Sequence, residues 1–177
     1  MSAPTIKSLL QDDGNETAKR IGFLLLNEFS LLAFASAIEP LRSANRQSGR
    51  ELYQWVIAST DGTPAAASNG VEVASDGDPS VLQDCRMVFV CAGVNVRGNT
   101  DRNTLNLVRR LDRNGAVIGA ICTGTYVMAA AGLLDDRSCT NQRENIDAPS
   151  EQIPEREITN DMIEVEGTRV TCPRTKT

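Results

Sequence analysis

The stretch AVIGAICTGTYVMAAAG, residues 116–132, sets the kind of fold to expect. Its first part, through Ile121, is apolar at successive positions, so both sides of the segment must be covered, as in the strands of a parallel sheet. From Cys122 to Ala131 the pattern becomes helical, and Gly132 supplies the stop. A buried strand thus turns directly into a helix through a cysteine flanked by small residues. This is the arrangement of a nucleophile elbow, which holds one side chain at the carboxyl end of a sheet and needs glycines where strand and helix pass closely. A thiol there would meet the positive end of the helix dipole, which favours thiolate. The alternative reading of Cys122 is a small apolar core residue.

The same alternation extends to both sides. IGFLLL (21–26) is another strand apolar on both faces. Ser30 can cap a following helix in which Leu31, Phe34, Ala35, Ile38 and Leu41 recur at helical spacing through about Asn45, with a kink expected at Pro40. YQWVIA (53–58) is a second strand. Asn69-Gly70 and the alternating Val71-Glu72-Val73 read as a hairpin appended at the sheet edge. RMVFVCA (86–92) is a further buried strand, followed by a helix over 101–113 with Leu105, Val108 and Leu111 on one face. The implied architecture is α/β: an open, doubly wound parallel sheet sandwiched by helices. Residues 1–19 read as a polar tail and 20–177 as one domain. MIEVEGTRVTC (162–172) suggests a terminal hairpin, and no closing helix follows it.

Composition removes much chemistry. The chain of 177 residues contains no histidine, so Ser-His-Asp triads, Cys-His dyads and His-ligated metals are excluded. Its five cysteines are odd in number and lack C-x-x-C spacing, against a disulfide framework or structural zinc; no metal and no cofactor is expected. Net charge is −5, which gives no global field for nucleic acid. No apolar run approaches the ~20 residues of a membrane span, and no secretory leader is evident, so a cytoplasmic protein is expected.

In an open sheet of this kind, ligands lie beyond the carboxyl ends of the strands. Three loops would meet there: Asn27, Glu28, Phe29 and Ser30 after the first strand; Gly93, Val94 and Asn95 in VCAGVN (90–95); and Cys122-Thr123 at the elbow. Each assignment has a plainer counterpart: core for Phe29, and an ordinary turn for Gly93.

Together, IGFLLLNEFSLLAFASAIEPLRSANRQSG, ASNGVEV, MVFVCAGVNV and GAICTGTYVMAAAGLLDDRSCTNQRENI closely resemble the glutamine-amidotransferase-like, PfpI-type superfamily. More narrowly, the chain is similar to the sensory N-terminal domain of GlxA-type regulators of the AraC family. The resemblance covers most of residues 20–172. It implies a flavodoxin-like sandwich, usually a homodimer, that senses amino acids or betaine- and carnitine-like amines. DNA would be bound only through a helix-turn-helix domain that this chain does not contain.

Departures from the pattern bear on mechanism. Catalytic relatives pair the elbow cysteine with an acid at the position held here by Ala33, and hydrolytic relatives follow it with a histidine where Thr123 stands. Cys122 is then a nucleophile without a base. After the elbow helix, C-T-x-H-W-E-N becomes Cys139, Thr140, Asn141, Gln142, Arg143, Glu144 and Asn145. Arginine for tryptophan removes an aromatic face for a quaternary amine.

The expected function is therefore non-catalytic metabolite sensing over Cys122. Asn27, Phe29, Ser30, Gly93, Val94, Asn95, Thr123, Asn141 and Glu144 would line the site. A cationic ligand would draw on Glu39 or Glu144, each otherwise a solvated or capping carboxylate. The alternative is a cysteine-dependent hydrolase, hydratase or glyoxalase-like enzyme using Cys122, with Glu39 or Glu144 in place of the lost acid. A third reading is a redox sensor, which requires an accessible, low-pKa thiol at Cys122.

Overall fold

A computed structural model describes residues 18–134 throughout, together with the strand backbones at 139–140, 158–159, 164–166 and 169–172. The apolar runs form a parallel sheet. Strands β1 (Lys19–Leu25), β2 (Tyr53–Ser59), β5 (Met87–Cys91) and β6 (Val117–Ile121) lie in the order β2-β1-β5-β6. Beyond β6 the sheet continues into β10 (Arg169–Cys172), also parallel, and ends at antiparallel β9 (Glu164–Glu166), which gives the terminal hairpin expected from the sequence. A separate parallel pair joins β7 (Cys139–Thr140) to β8 (Ile158–Thr159).

Alternation along the strands sorts their side chains onto two faces. Phe23, Leu25, Cys91 and Ile121 pack with Ala33 and Phe34 of α1 (Leu31–Ser48). Leu24, Val88, Val90, Ile118 and Ala120 pack with α2 (Arg102–Arg113) and α3 (Gly124–Ala130). Phe23 meets Phe34 edge-on at 5.4 Å and stacks on Phe89 at 5.7 Å. Both faces are covered, which is why these strands read as unbroken apolar runs.

Ser30 caps α1, its Oγ accepting from Ala33 N at 3.4 Å, and Gly49 closes it in the left-handed conformation. The helix is longer than expected and passes through Pro40 without ending. Pro40 lies on the exposed side, where solvent can reach the carbonyl that loses its donor. Helix α3 is shorter than expected: Cys122 precedes it in a left-handed conformation, and Thr123 occupies the N-cap.

The short hairpin forms from β3 (Ala65–Ala66) and β4 (Glu72–Val73). It reaches inward to the loop leaving β1, with Glu28 N donating to Ala66 O at 2.8 Å and Ser68 N to Phe29 O at 2.9 Å. The segment after it runs beside edge strand β2, where Ala58 bridges to Gly77.

Candidate functional site

From β1 the chain first builds outward to β2, then returns across β1 to lay down β5 and β6. The order therefore reverses between β1 and β5. At such a switch point the loops leaving adjacent strands diverge and leave a crevice beyond their carboxyl ends. Asn27 to Ser30 leave β1 here, Gly93 to Asn95 leave β5, and Cys122-Thr123 leave β6. Eight of the site residues expected from the sequence thus gather at one place. Asn141 and Glu144 lie outside the described residues.

Backbone hydrogen bonds lace the loops together. Leu26 N donates to Cys91 O at 3.0 Å, Ser30 N to Ala92 O at 3.4 Å, and Val94 N to Glu28 O at 3.0 Å. Gly93 has a steric reason to be glycine. A Cβ there would fall inside contact distance of the Glu28 carbonyl oxygen and 2.8 Å from Ser30 N. Thr123 ties in the third loop, its Oγ1 donating to Gly93 O at 2.7 Å. Gly124 lets the start of α3 pass over β5, since a Cβ would collide with the Val90 carbonyl.

The sequence reading names Glu28 only as part of the first loop and does not reach Asn99. Asn99 Nδ2 donates to Glu28 Oε2 at 2.9 Å and links the first loop to the segment before α2. Glu28 adopts φ 59°, Asn95 φ 52° and Cys122 φ 57°, the only non-glycine residues with positive φ among those described. All three lie in the converging loops. Left-handed backbone is costly for a residue with a Cβ, and it persists where surrounding contacts impose it, commonly at binding sites. For Glu28 no local signal announces it, whereas at Cys122 the elbow pattern does.

The elbow cysteine is not displayed to solvent. Cys122 is 4% exposed and belongs to a buried cluster with Phe29, Ala33, Ala65, Ala67 and Cys91. Ala65 and Ala67 come from the hairpin, a cover that the sequence around Cys122 could not reveal. Burial pushes the neighbouring Cys91 thiol far above its ordinary pKa, and proximity to Cys122 adds to the shift. Phe29 is wholly buried and meets Phe34 edge-on at 5.8 Å. Asn27, Val94 and Asn95 remain exposed at the rim.

Ala33 is buried in the same apolar cluster as Cys122. Glu39 stands two turns further along α1, where its carboxylate accepts from Arg42 Nε at 2.7 Å on the exposed side. Among the described residues, no group of three or more Cys, Asp or Glu side chains is placed to hold a metal. No helix among them is long and apolar enough to cross a membrane.

A doubly wound sheet with a cysteine elbow beside its switch point defines a class of α/β domains in which related scaffolds serve both catalysis and recognition. Within that class, the chain belongs to the DJ-1/PfpI family, whose pattern matches residues 19–173. It is 44% identical over 149 residues to the HTH-type transcriptional regulator CdhR of Pseudomonas aeruginosa, covering 84% of this chain and 44% of that protein. It is 40% identical over 159 residues to the HTH-type transcriptional regulator GlxA of Rhizobium meliloti, covering 89% of this chain and 49% of the relative. The chain thus spans about half the length of these regulators. A solved structure of an AraC family transcriptional regulator from Pseudomonas putida superposes with TM-score 0.76 at 25% identity, covering 88% of this chain and 83% of the other. The flavodoxin-like fold and the kinship with AraC- and GlxA-type regulators agree with the sequence reading.

Proposed function

We propose that this domain is the sensory part of an AraC-type transcriptional regulator, holding a small nitrogenous metabolite at the switch-point crevice without transforming it. The observation that carries the reading is the setting of Cys122. Its thiol is sealed in an apolar cluster, Ala33 occupies the acid position, and the chain has no histidine. Attack by the thiol needs a group to take its proton, and the positions where catalytic and hydrolytic relatives carry an acid and a histidine hold Ala33 and Thr123 here. The loops remain able to recognise a ligand: Asn27 and Asn95 offer amides at the rim, Val94 offers apolar surface, and Glu28 brings a carboxylate. A ligand of amino-acid or amine type matches those groups. The sensing unit is a homodimer in the cytoplasm, and DNA contact belongs to a helix-turn-helix domain of the full regulator. Kinship with HTH-type regulators supports this division of labour.

Two measurements test the reading. A thermal-shift panel of amino acids, betaines and carnitine-like amines should contain at least one compound that raises Tm. At a hundredfold excess over Kd, linkage supplies about 2.7 kcal/mol, or about 5–10 °C for a domain of this size. The Cys122→Ser variant should still bind that compound, because the thiol is part of the wall and not the reactant. Silence across the panel would remove the basis for a sensor. Conversion of any panel compound that is lost with Cys122→Ser would make the domain an enzyme.

A further inference from the structure

Edge strands expose a row of backbone donors and acceptors, and β2 deals with its row one residue at a time. Lys19 N donates to Leu52 O, so the even-numbered residues of β2 face β1 and the odd-numbered ones face outward. Asn45 satisfies Tyr53 from both sides: Tyr53 N donates to its Oδ1 at 3.0 Å, and its Nδ2 donates to Tyr53 O at 2.8 Å. Asp76 does the same for Ile57, accepting from Ile57 N at 2.8 Å and donating its own N–H to Ile57 O at 2.7 Å. Ser59 N donates to Ser75 Oγ at 3.1 Å. Trp55, between the two caps, keeps its outward N–H and C=O without a partner among the described residues.

A groove of about 450 Å³ opens at this gap, lined by Arg20, Asn45, Glu51, Tyr53, Gln54, Trp55 and Val56. Its volume falls in the range of small-molecule sites. It lies near the amino ends of β1 and β2, whereas the converging loops that include Cys122 lie at the carboxyl ends of the sheet strands. Glu51 is engaged, accepting from Gln54 Nε2 at 2.9 Å. Arg20 is exposed and has no ion pair among the described residues, so a guanidinium is available to a ligand carboxylate, with the Glu51 carboxylate as the groove's other charge.

We propose that this groove is a second binding site, for an N-acylated α-amino acid or an equivalent carboxylate-terminated single residue. In extended form such a ligand presents one N–H and one carboxyl oxygen on the same side, the complement of Trp55 C=O and N–H. Its second carboxylate oxygen meets Arg20, and its side chain lies against the rings of Trp55 and Tyr53. The caps on Tyr53 and Ile57 limit the ligand to one residue: a longer strand would need the backbone groups that Asn45 and Asp76 already occupy.

Trp55 is the single tryptophan of the chain, so intrinsic fluorescence reports on this groove. Titration with N-acetyl-leucine should give a saturable change in Trp55 emission. Arg20→Gln, or the neutral methyl ester of the probe, should weaken binding about fivefold, as for a partly exposed ion pair. A flat wild-type titration overturns the proposal. So does equal affinity for the ester or for Arg20→Gln. Tighter binding of a capped tetrapeptide would show strand addition instead and overturn the single-residue limit.

Discussion

Gly93 and Thr123 decide whether the three loops can converge. Gly93→Ala would press a methyl group into the carbonyl of Glu28, which the laced backbone cannot move without breaking the Val94-to-Glu28 bond. We expect a loss of roughly 2 kcal/mol or more, in the manner of an overpacked core, measured by urea denaturation. Thr123 is 3% exposed, so removing its hydroxyl strands the Gly93 carbonyl in a poorly hydrated place. Thr123→Val should cost about 1–2 kcal/mol while Thr123→Ser costs little, since serine preserves the hydrogen bond. Equal losses for both variants would locate the effect in packing.

Helices α2 and α3 are held at their ends by side chains from α2 and its cap. Asp101 caps α2, its Oδ1 accepting from Thr104 N at 2.7 Å, and this bond holds the Asp101 carboxyl below the usual aspartate range. A depressed folded-state pKa contributes stability above the unfolded value of about 3.9, and that contribution fades as pH falls through the folded value. Asp101→Ala should therefore cost about 1 kcal/mol at pH 7 and progressively less below pH 4, read from paired denaturation curves. At the other end, Arg109 of α2 serves α3, with Nε donating to Ala131 O at 3.0 Å and a terminal nitrogen to Ala130 O at 3.1 Å. Arg109→Lys keeps the charge but loses the fork, so it should recover only part of the stability lost in Arg109→Ala.

Across the whole molecule, burial of the sheet makes the protein sensitive to alkali. Cys91 is 1% exposed, and its thiol stays protonated in the folded state well beyond the pH at which an unfolded cysteine ionises. Above about pH 8.5 the unfolded chain sheds a proton that the folded chain retains, so stability falls as pH rises. Cys91→Ala should flatten the alkaline limb of a stability-pH profile while lowering stability near neutrality. An unchanged limb would assign the alkaline loss to other groups. The same burial bears on redox sensing: Cys122 is 4% exposed and shares a buried cluster with Phe29, Ala65 and Ala67, and oxidation by solvent species requires an accessible thiol.

The sequence by itself determined the parallel sheet, the order of strands and helices, the cap at Ser30, and the turn at Cys122. Each is written in local periodicity or in a residue within one helical turn of the feature it controls. The same local signals placed Asn27 to Ser30, Gly93 to Asn95 and Thr123 at strand ends, which an open sheet brings together. Only the tertiary structure decided that the thiol is sealed, because Ala65 and Ala67 arrive from a hairpin far along the chain. It also decided that Glu28 is left-handed and bonded to Asn99, that α1 runs through Pro40, and that Asn45, Ser75 and Asp76 close most of the β2 edge. These features depend on which distant segments meet, and a one-dimensional pattern carries no record of the meeting.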